Sequence, residues 1–504
     1  MRFRISLLLI MSLCLTTSSF SLTAYLQQLI VEQGYSAEQF HFALTQNNRQ
    51  AQLIALKDSE QGSKQWLLLA QQLARVDQNI AWQLSQYYQN NNQNRDQQYW
   101  YQHALKHGSQ QALLKKAKEV AIQGDYQQAK NILASLNPLM SEDVEESVML
   151  SVTLAIEHGD IAMVVANKAR LAQLPGQHAQ RLMAQIEKFQ ILATVENSNI
   201  VQSFDLPNIG LAGTAKSLSC RYPLQFFASN IADLTYLEQL IAEINDDSFF
   251  HTQFCLLTPK YITAQLINCD HLNQQRIACD IENIARQTIA KNVQYVGILG
   301  PKGVANVDHG FVFIDNQDGS DVLAHELLHL LGFIDEYPLN QYNSICQQQG
   351  VLAHNIVNLA KRIYGSDQQA RAAVLPILPW REKIKSTTPI SHKINSGYSL
   401  GTAREFANEV GLFHSNTCDS DVEMRREKGE LHAFKATANV TQLQYFEEPL
   451  PALYKGLVAT QHNPLKMPSY HYNIGKKYKQ KSDSKTANFW LGKSAARETN
   501  YERQ

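Results

Sequence analysis

The sequence lacks an excess of charge of either sign: 45 Lys and Arg residues stand against 46 Asp and Glu residues, which gives a net charge of −1 over 504 residues. This balance gives no reason to expect nucleic acid or an anionic membrane as the main partner. Beyond the N-terminus there is no run of about 20 apolar residues, so we expect no membrane span. With 44% apolar and 18% charged residues, the composition is typical of a globular chain of two or three domains.

The N-terminus has the three parts of a secretory signal peptide. Residues 1–4 contain two arginines, residues 5–15 are mostly apolar, and residues 16–21 are mainly small and polar. The apolar part is too short to cross a bilayer. We therefore expect residues 1–21 to be removed and the mature chain to be periplasmic or secreted, as in a bacterium.

Glycine and proline are scarce from residue 22 to about 200, where Gln, Ala and Leu dominate and one helical pattern follows another. Two Gly-Asp pairs, Gly124-Asp125 and Gly159-Asp160, lie 35 residues apart. This spacing is close to the tetratricopeptide period of about 34 residues, and the region resembles a degenerate tetratricopeptide-like array. Such an array would be a scaffold for binding a protein of the cell envelope. A plain helical bundle with coincidental Gly-Asp turns is the alternative.

The helical pattern fails between about residues 197 and 211, which contain Pro207 and Gly210, and we place a domain boundary there. Strand and helix patterns then alternate, and the last of them, residues 304–315, reads as a strand. The whole chain is therefore predicted to be α+β. We expect a helical domain over residues 22–200, a second domain over 213–465, and a basic, mostly unstructured tail over 466–504.

The most informative stretch of the chain runs from Ser320 to Tyr337 and contains His325-Glu326-x-x-His329. Residues four apart lie on one face of a helix, so the two histidines can offer their ring nitrogens to one metal ion. The carboxylate of Glu326 is then placed to take a proton from water without binding the metal. Leucines and a valine fill the rest of the helix, which predicts that it is buried.

After the second histidine come Gly332, Asp335 and Glu336. The run His-Glu-x-x-His-x-x-Gly-x-x-Asp resembles the metzincin clan of the zincin metallopeptidases, in which a third zinc ligand follows at this spacing, usually a histidine. The Asp-Glu-Tyr ending also resembles bacterial IgA-peptidase-type metallopeptidases, with a spacing offset by one residue. The resemblance implies a zincin-like fold and a Zn²⁺ ion held by His325, His329 and Asp335, with Glu336 as a supporting or alternative ligand.

The same resemblance implies a methionine turn below the metal, for which Met424 is the candidate. Tyr445 is a candidate to stabilise an oxyanion. A zincin whose third ligand is a glutamate from a second helix would instead use Glu405 or Glu409.

Without Cys14 of the predicted signal peptide, six cysteines remain, and none lies in the helical region. They are Cys220, Cys255, Cys269, Cys279, Cys346 and Cys418. An even number in an exported domain predicts disulfides, with Cys269–Cys279 and Cys346–Cys418 as the pairs we favour. No Cys-x-x-Cys spacing supports a structural zinc site.

Together these patterns predict an exported zinc metallopeptidase, most simply an endopeptidase, that acts on a protein or peptide. The alternative is an envelope scaffold whose zincin-like domain is structural or regulatory. A third possibility is a hydrolase of another amide, such as a cell-wall peptide crosslink.

Overall fold

The computed structural model describes residues 24–136, 141–192, 221–269, 275–284, 293–339, 343–419, 431–459 and 463–501. The chain forms two compact units that divide between Leu154 and Ala155. A helical N-terminal region is followed by a mixed α/β region, which confirms the α+β class. The predicted signal peptide and the predicted boundary near residues 197–211 lie outside the described residues.

The first unit consists of short helices. They are α1 (24–31), α2 (Ala37–Thr45), α3 (Arg49–Asp58), α4 (Lys64–Leu73), α5 (Gln78–Asn90), α6 (Asn94–Lys106), α7 (Gln110–Ile122), α8 (Tyr126–Ser135) and most of α9 (Ser141–Glu157). Side chains of Asn48, Ser63, Asp77 and Ser109 accept hydrogen bonds from the first free amides of α3, α4, α5 and α7. These caps explain where the helices begin in a region with so little glycine and proline.

The Gly-Asp pairs join helices, as their sequence predicts. Gly124 has φ +83 and ends α7, while the Asp125 side chain accepts a hydrogen bond from the Gln128 amide and caps α8. In the second unit, Gly159 has φ +70 and Asp160 caps α10 (Ile161–Gln173) in the same way. A left-handed glycine followed by a capping aspartate is thus the local device that turns one helix into the next.

The second unit contains α10 and α11 (Gln177–Lys188) as well as the α/β region. The Tyr261 hydroxyl donates a hydrogen bond to the Ile156 carbonyl at 2.5 Å, and Lys188 pairs with Glu238 at 2.6 Å. These contacts join the ends of α9 and α11 to the α/β region. The helical domain expected to reach residue 200 therefore contributes its last helices to the unit that follows.

A five-stranded sheet forms the centre of the second unit, in the order β2-β1-β3-β5-β4. The strands are β1 (Tyr222–Ala228), β2 (Phe254–Tyr261), β3 (Tyr295–Leu299), β4 (Asn306–Asp308) and β5 (Phe311–Ile314). All neighbours are parallel except β4 and β5. The stretch expected to be one strand over residues 304–315 is this antiparallel hairpin, which turns at His309 (φ 43) and Gly310 (φ 88). The turn leaves β4 at the edge of the sheet.

Helices cover both faces of the sheet. The helices that follow β1 along the chain are α12 (Ile231–Asp246), α13 (Ser248–Gln253), α14 (Ala264–Ile267), α15 (Ile281–Ile284), α16 (Ser320–Leu330), α17 (Asp367–Val374), α18 (Ala452–Leu457), α19 (Tyr470–Gln480) and α20 (Ser484–Tyr501). Phe311 and Phe313 of β5 pack with Ile474 of α19 on one face. On the other face, the Tyr295 hydroxyl reaches the Leu330 carbonyl at the end of α16.

The tail that we expected to be mostly unstructured forms α19 and α20, so that prediction is wrong for the described residues. Tyr470 and Ile474 are buried against the sheet, with Tyr478 and Trp490 packed beside them. Gly475 of α19 allows α20 to pack closely against it, because a Cβ at this position would lie 2.8 Å from a Leu491 side-chain carbon. The sequence reasoning weighed the lysines of this segment and missed its regularly spaced apolar residues.

Two small sheets and several disulfide-bonded cysteines complete the described part of the second unit. One sheet has the order β8-β10-β9 and the other β11-β12-β7-β6, with strands β6 (Gly350–Val351), β7 (Val357–Ala360), β8 (Ile363–Tyr364), β9 (Ser391–Ile394), β10 (Gly397–Leu400), β11 (Phe413–His414) and β12 (Leu431–Lys435). The predicted pairs Cys269–Cys279 and Cys346–Cys418 are both disulfide-bonded. Cys255 is in a disulfide as well, and Cys220 lies outside the described residues.

In the described part of the chain, no helix combines the length and the apolar character that a membrane crossing needs.

Candidate metal centre

Helix α16 carries the His-Glu-x-x-His motif, and its remaining side chains anchor it in the core. Leu323, Leu327, Leu328 and Leu330 are fully buried. The N-cap of α16 is Gly319, which has no side chain to cap the helix, and the nearby Asp318 carboxylate accepts a hydrogen bond from the Asp315 amide at 2.7 Å. Tertiary packing, rather than a cap, therefore fixes this helix.

The side chains of His325, His329 and Asp335 converge. The Nε2 atom of His325 lies 3.1 Å from Asp335 Oδ1, and the Nε2 atom of His329 lies 3.3 Å from the same oxygen. The two imidazole rings are 4.8 Å apart and nearly perpendicular. Two turns of one helix and the segment that follows it thus bring two nitrogens and one oxygen to a common point, as the sequence predicts.

Backbone carbonyls decide which ring nitrogens face that point. His325 Nδ1 lies 2.7 Å from the Gln442 carbonyl, and His329 Nδ1 lies 3.1 Å from the Phe333 carbonyl. A carbonyl oxygen can only accept a hydrogen bond, so both Nδ1 atoms carry the proton and donate. Each Nε2 is left to offer its lone pair to a metal, an arrangement typical of histidine ligands.

A sharp reversal after the helix returns Asp335 to the histidines. Gly332 adopts φ +93, and a Cβ on it would lie 2.3 Å from the Leu465 carbonyl oxygen, so only glycine fits. Downstream, the Asp335 carbonyl accepts a hydrogen bond from the Thr417 hydroxyl at 2.8 Å. The turn and this bond fix the backbone from which the Asp335 carboxylate points back to α16.

Electrostatics show how strongly this cluster favours a cation. Burial lowers the pKa of His329, but the adjacent Asp335 carboxylate outweighs that effect and raises it to about 9. Burial raises the pKa of Asp335, and the two histidines more than reverse this, so that it lies below its usual range. The carboxylate thus favours a positive charge beside the two rings, which a divalent cation can supply.

Glu326 stands beside this cluster and is nearly fully buried. His325, Glu326 and His329 offer ligand atoms within 4.8 Å of one another and could together hold a metal ion. The Oε2 atom of Glu326 is buried without a hydrogen-bond partner among the described residues. Burial is also the main reason that the pKa of this carboxyl is raised. Buried carboxylate oxygens are nearly always hydrogen-bonded, so this oxygen marks Glu326 as a candidate to bind a proton or a ligand.

The donor set fits zinc. Two imidazole nitrogens and one carboxylate oxygen are a common three-ligand set for catalytic zinc, which keeps a fourth position open. Hydrogen bonds from each ring to a backbone carbonyl supply the outer support that such sites require. The residues present therefore match the group that the motif implies.

Glu336, the alternative ligand, is occupied elsewhere. Its carboxylate is 1% exposed and accepts hydrogen bonds from Lys435 at 2.7 Å, Tyr454 at 2.8 Å, Thr441 at 2.9 Å and Asn355 at 3.2 Å. With both oxygens engaged, Glu336 supports the backbone next to Asp335. The geometry favours Asp335 over Glu336 as the third ligand.

The sequence reasoning missed Tyr337. Its hydroxyl is hydrogen-bonded to the Asp335 carboxylate, and its ring lies parallel to that of His325 with centroids 6.5 Å apart. Burial and the Asp335 charge raise the pKa of this phenol, which stays protonated at neutral pH. The side chain is still 40% exposed, so it can contact a substrate. The sequence feature that could have identified Tyr337 is its position two residues after Asp335.

Among the described residues, no hydrogen bond or ion pair links Glu405, Glu409 or Tyr445 to this centre. Met424 lies outside the described residues. Glu405 is exposed on a short 3-10 helix, and Glu409 is hydrogen-bonded to Thr388 and paired with Lys385. Tyr445 is 58% exposed.

Comparison with known proteins adds no relative to these observations. No protein-family model matches the chain, and a search of curated proteins found no similar sequence.

Proposed function

We propose that the second unit is a zinc-dependent peptidase resembling the zincins of the metzincin type. The observation that carries this proposal is the convergence of His325, His329 and Asp335 beside a buried, unpartnered oxygen of Glu326. A helix of an inert domain has no use for an unsatisfied buried carboxylate, whereas a hydrolase needs a base at that position. This contrast favours an enzyme over a purely structural zincin-like scaffold.

In the proposed mechanism, His325, His329 and Asp335 hold the metal. Zinc, when bound, supplies a Lewis acid that polarises a carbonyl group and acidifies water. Glu326 accepts the proton of the attacking water at its free oxygen and passes it to the leaving amine. Its raised pKa brings proton uptake closer to neutral pH, which suits both transfers.

Tyr337 supplies a hydrogen-bond donor at the exposed side of the centre. Its phenol is protonated and lies next to Asp335, so it can turn its hydrogen to the substrate carbonyl as negative charge develops there. The substrate is a peptide in an extended conformation that lies along the edge strand β4. We further propose export to a periplasm or to the cell exterior, consistent with the disulfides, and an accessory binding role for the helical first unit.

The experiment that tests the proposal compares the wild type with Glu326→Gln and the matched control Glu405→Gln, which changes an exposed glutamate outside the centre. The bound metal of each protein is measured first. Hydrolysis of a denatured protein substrate is then measured without chelator, with chelator, and after zinc has been added back. We expect all three to bind zinc and only Glu326→Gln to lose hydrolysis, by at least about a thousandfold. Normal hydrolysis by Glu326→Gln would eliminate the proposed base.

Metal content tests the ligands separately. His325→Ala and Asp335→Ala should lose zinc, whereas Glu336→Gln should still bind it because that carboxylate is engaged elsewhere. Stoichiometric zinc in His325→Ala would show that the ligands are assigned wrongly. If the zinc-loaded wild type does not cleave the denatured protein, the same assay is repeated with cell-wall peptides as substrate.

A further inference from the structure

A loop closed by the Cys269–Cys279 disulfide lies beside the edge of the sheet. The Ile277 amide donates to the Val304 carbonyl at 3.1 Å, and the Val304 amide donates to the Gln275 carbonyl at 2.8 Å. These two bonds form a parallel bridge between Arg276 and Val304. The chain reaches β4 two residues after Val304, so the loop extends the sheet at one end of its edge strand.

Residues 275–277, near the end of this loop, are held by backbone and side-chain bonds, which gives Arg276 a defined place. Ile277 is buried in the core on the α19 face of the sheet, and its carbonyl accepts a hydrogen bond from the Asn306 side chain at 3.0 Å. Neighbouring residues of an extended segment point in opposite directions. Arg276 therefore points away from the Ile277 side chain, and it is exposed.

Arg276 lies on the side of the sheet that carries the metal centre. The Ile277 side chain packs on the α19 face and α16 lies against the other face, so the opposed direction of Arg276 places its side chain on the α16 side. Among the residues that the structure describes, no carboxylate forms an ion pair with Arg276. An exposed guanidinium without an ion-pair partner among the described residues thus lies at the end of the edge strand, on the side of the metal centre.

We propose that Arg276 is a specificity-determining residue that binds an acidic side chain of a peptide lying along β4. This inference rests on the proposed function. A guanidinium pairs with a carboxylate through two parallel hydrogen bonds, which gives direction as well as attraction. Side chains of an extended peptide alternate between two sides, so Arg276 can reach one substrate position and selects Asp or Glu there. The acidic side chain of the substrate is then the ion-pair partner that Arg276 lacks among the described residues.

The test uses a set of fluorogenic peptides that are identical except for one position, which carries Glu, Gln or Lys and is moved along the peptide. We expect wild-type protein loaded with zinc to prefer Glu over Gln about tenfold in kcat/KM at one position. Arg276→Glu should lower that ratio below one and favour Lys instead. Lys477→Glu, a charge reversal on α19 across the sheet from α16, should leave the ratio unchanged. Added salt should reduce the preference.

A Glu-to-Gln ratio near one at every position, or a preference that Arg276→Glu leaves intact, would overturn the inference. Failure of the proposed function looks different, because then zinc-loaded protein cleaves none of the peptides. In that case the binding of the labelled Glu and Gln peptides to zinc-loaded Glu326→Gln is measured by fluorescence anisotropy. Tighter binding of the Glu peptide that is lost with Arg276→Glu supports the role of Arg276, and equal binding of both peptides refutes it.

Discussion

Replacing Lys435 by methionine should destabilise the second unit severely. Lys435 is 5% exposed and Glu336 is 1% exposed, and their charged atoms lie 2.7 Å apart. Methionine fills most of the space of the lysine stem but removes the only cation that contacts the Glu336 carboxylate among the described residues. Asn355, Thr441 and Tyr454 would still donate to that carboxylate.

Removing one partner of a buried ion pair costs about 3–5 kcal/mol, because the remaining charge is left without compensation. Three neutral donors still contact the carboxylate, so we expect the lower end, about 3 kcal/mol. Glu336→Gln should cost a similar amount, since it leaves the buried lysine charge with neutral acceptors such as the Asn439 carbonyl at 2.9 Å and no negative partner. The double variant removes both charges and should cost less than the sum of the single changes, by about 2 kcal/mol.

The measurement is the free energy of unfolding of the second unit in the full chain, from urea titration and calorimetry, with Lys477→Met as the exposed control. Because Glu336 adjoins Asp335, Lys435→Met should also weaken zinc binding by about tenfold. A Lys435→Met variant within about 1 kcal/mol of the wild type, or single effects that simply add, would refute the reasoning about this pair.

Three further predictions concern stability. Gly332→Ala places a Cβ 2.3 Å from a backbone oxygen at a residue with positive φ, so it should lower the free energy of unfolding by more than about 2 kcal/mol in thermal denaturation. The control Gly492→Ala, at a helix position with open space around it, should be neutral or slightly stabilising in the same assay. Burial and nearby cations lower the pKa of His471 to about 3, so between about pH 6.5 and 3 the unfolded chain binds a proton that the folded chain does not, and stability should fall with the pH over this range. His471→Gln should flatten that part of an acid-denaturation profile, and an unchanged profile would contradict the assignment. Replacing the Cys346–Cys418 pair by serines opens a closed loop with a sequence separation of 72 and should cost about 4 kcal/mol in urea titration, and a loss below about 1 kcal/mol would argue against the chain-entropy estimate.

Local patterns predicted much of what the structure contains. The spacing of His325 and His329, the glycine at position 332 and the aspartate at 335 were enough to predict three converging side chains, because a helix and one tight turn determine their positions. The Gly-Asp turns were predicted for the same reason. For Cys269–Cys279, closeness in sequence guided the prediction.

Features that depend on distant residues were not predictable in this way. The role of Tyr337 is defined by where Asp335 places its carboxylate, and the satisfaction of Glu336 depends on Lys435 and Tyr454, about a hundred residues further along the chain. The tail was read as unstructured because its lysines are evident in the sequence, whereas the sheet face that buries Tyr470 exists only in the folded chain.

The sequence by itself determined the types of the candidate ligand residues, their spacing along the chain and the α+β order of the chain, since these follow from helical geometry and short-range turns. Only the tertiary structure decided that Glu336 is a buried anchor and that Arg276 lies at the end of the edge strand β4. The physical reason is that burial, and the pairing of a buried charge, are set by contacts between segments far apart in the chain, which no local pattern records.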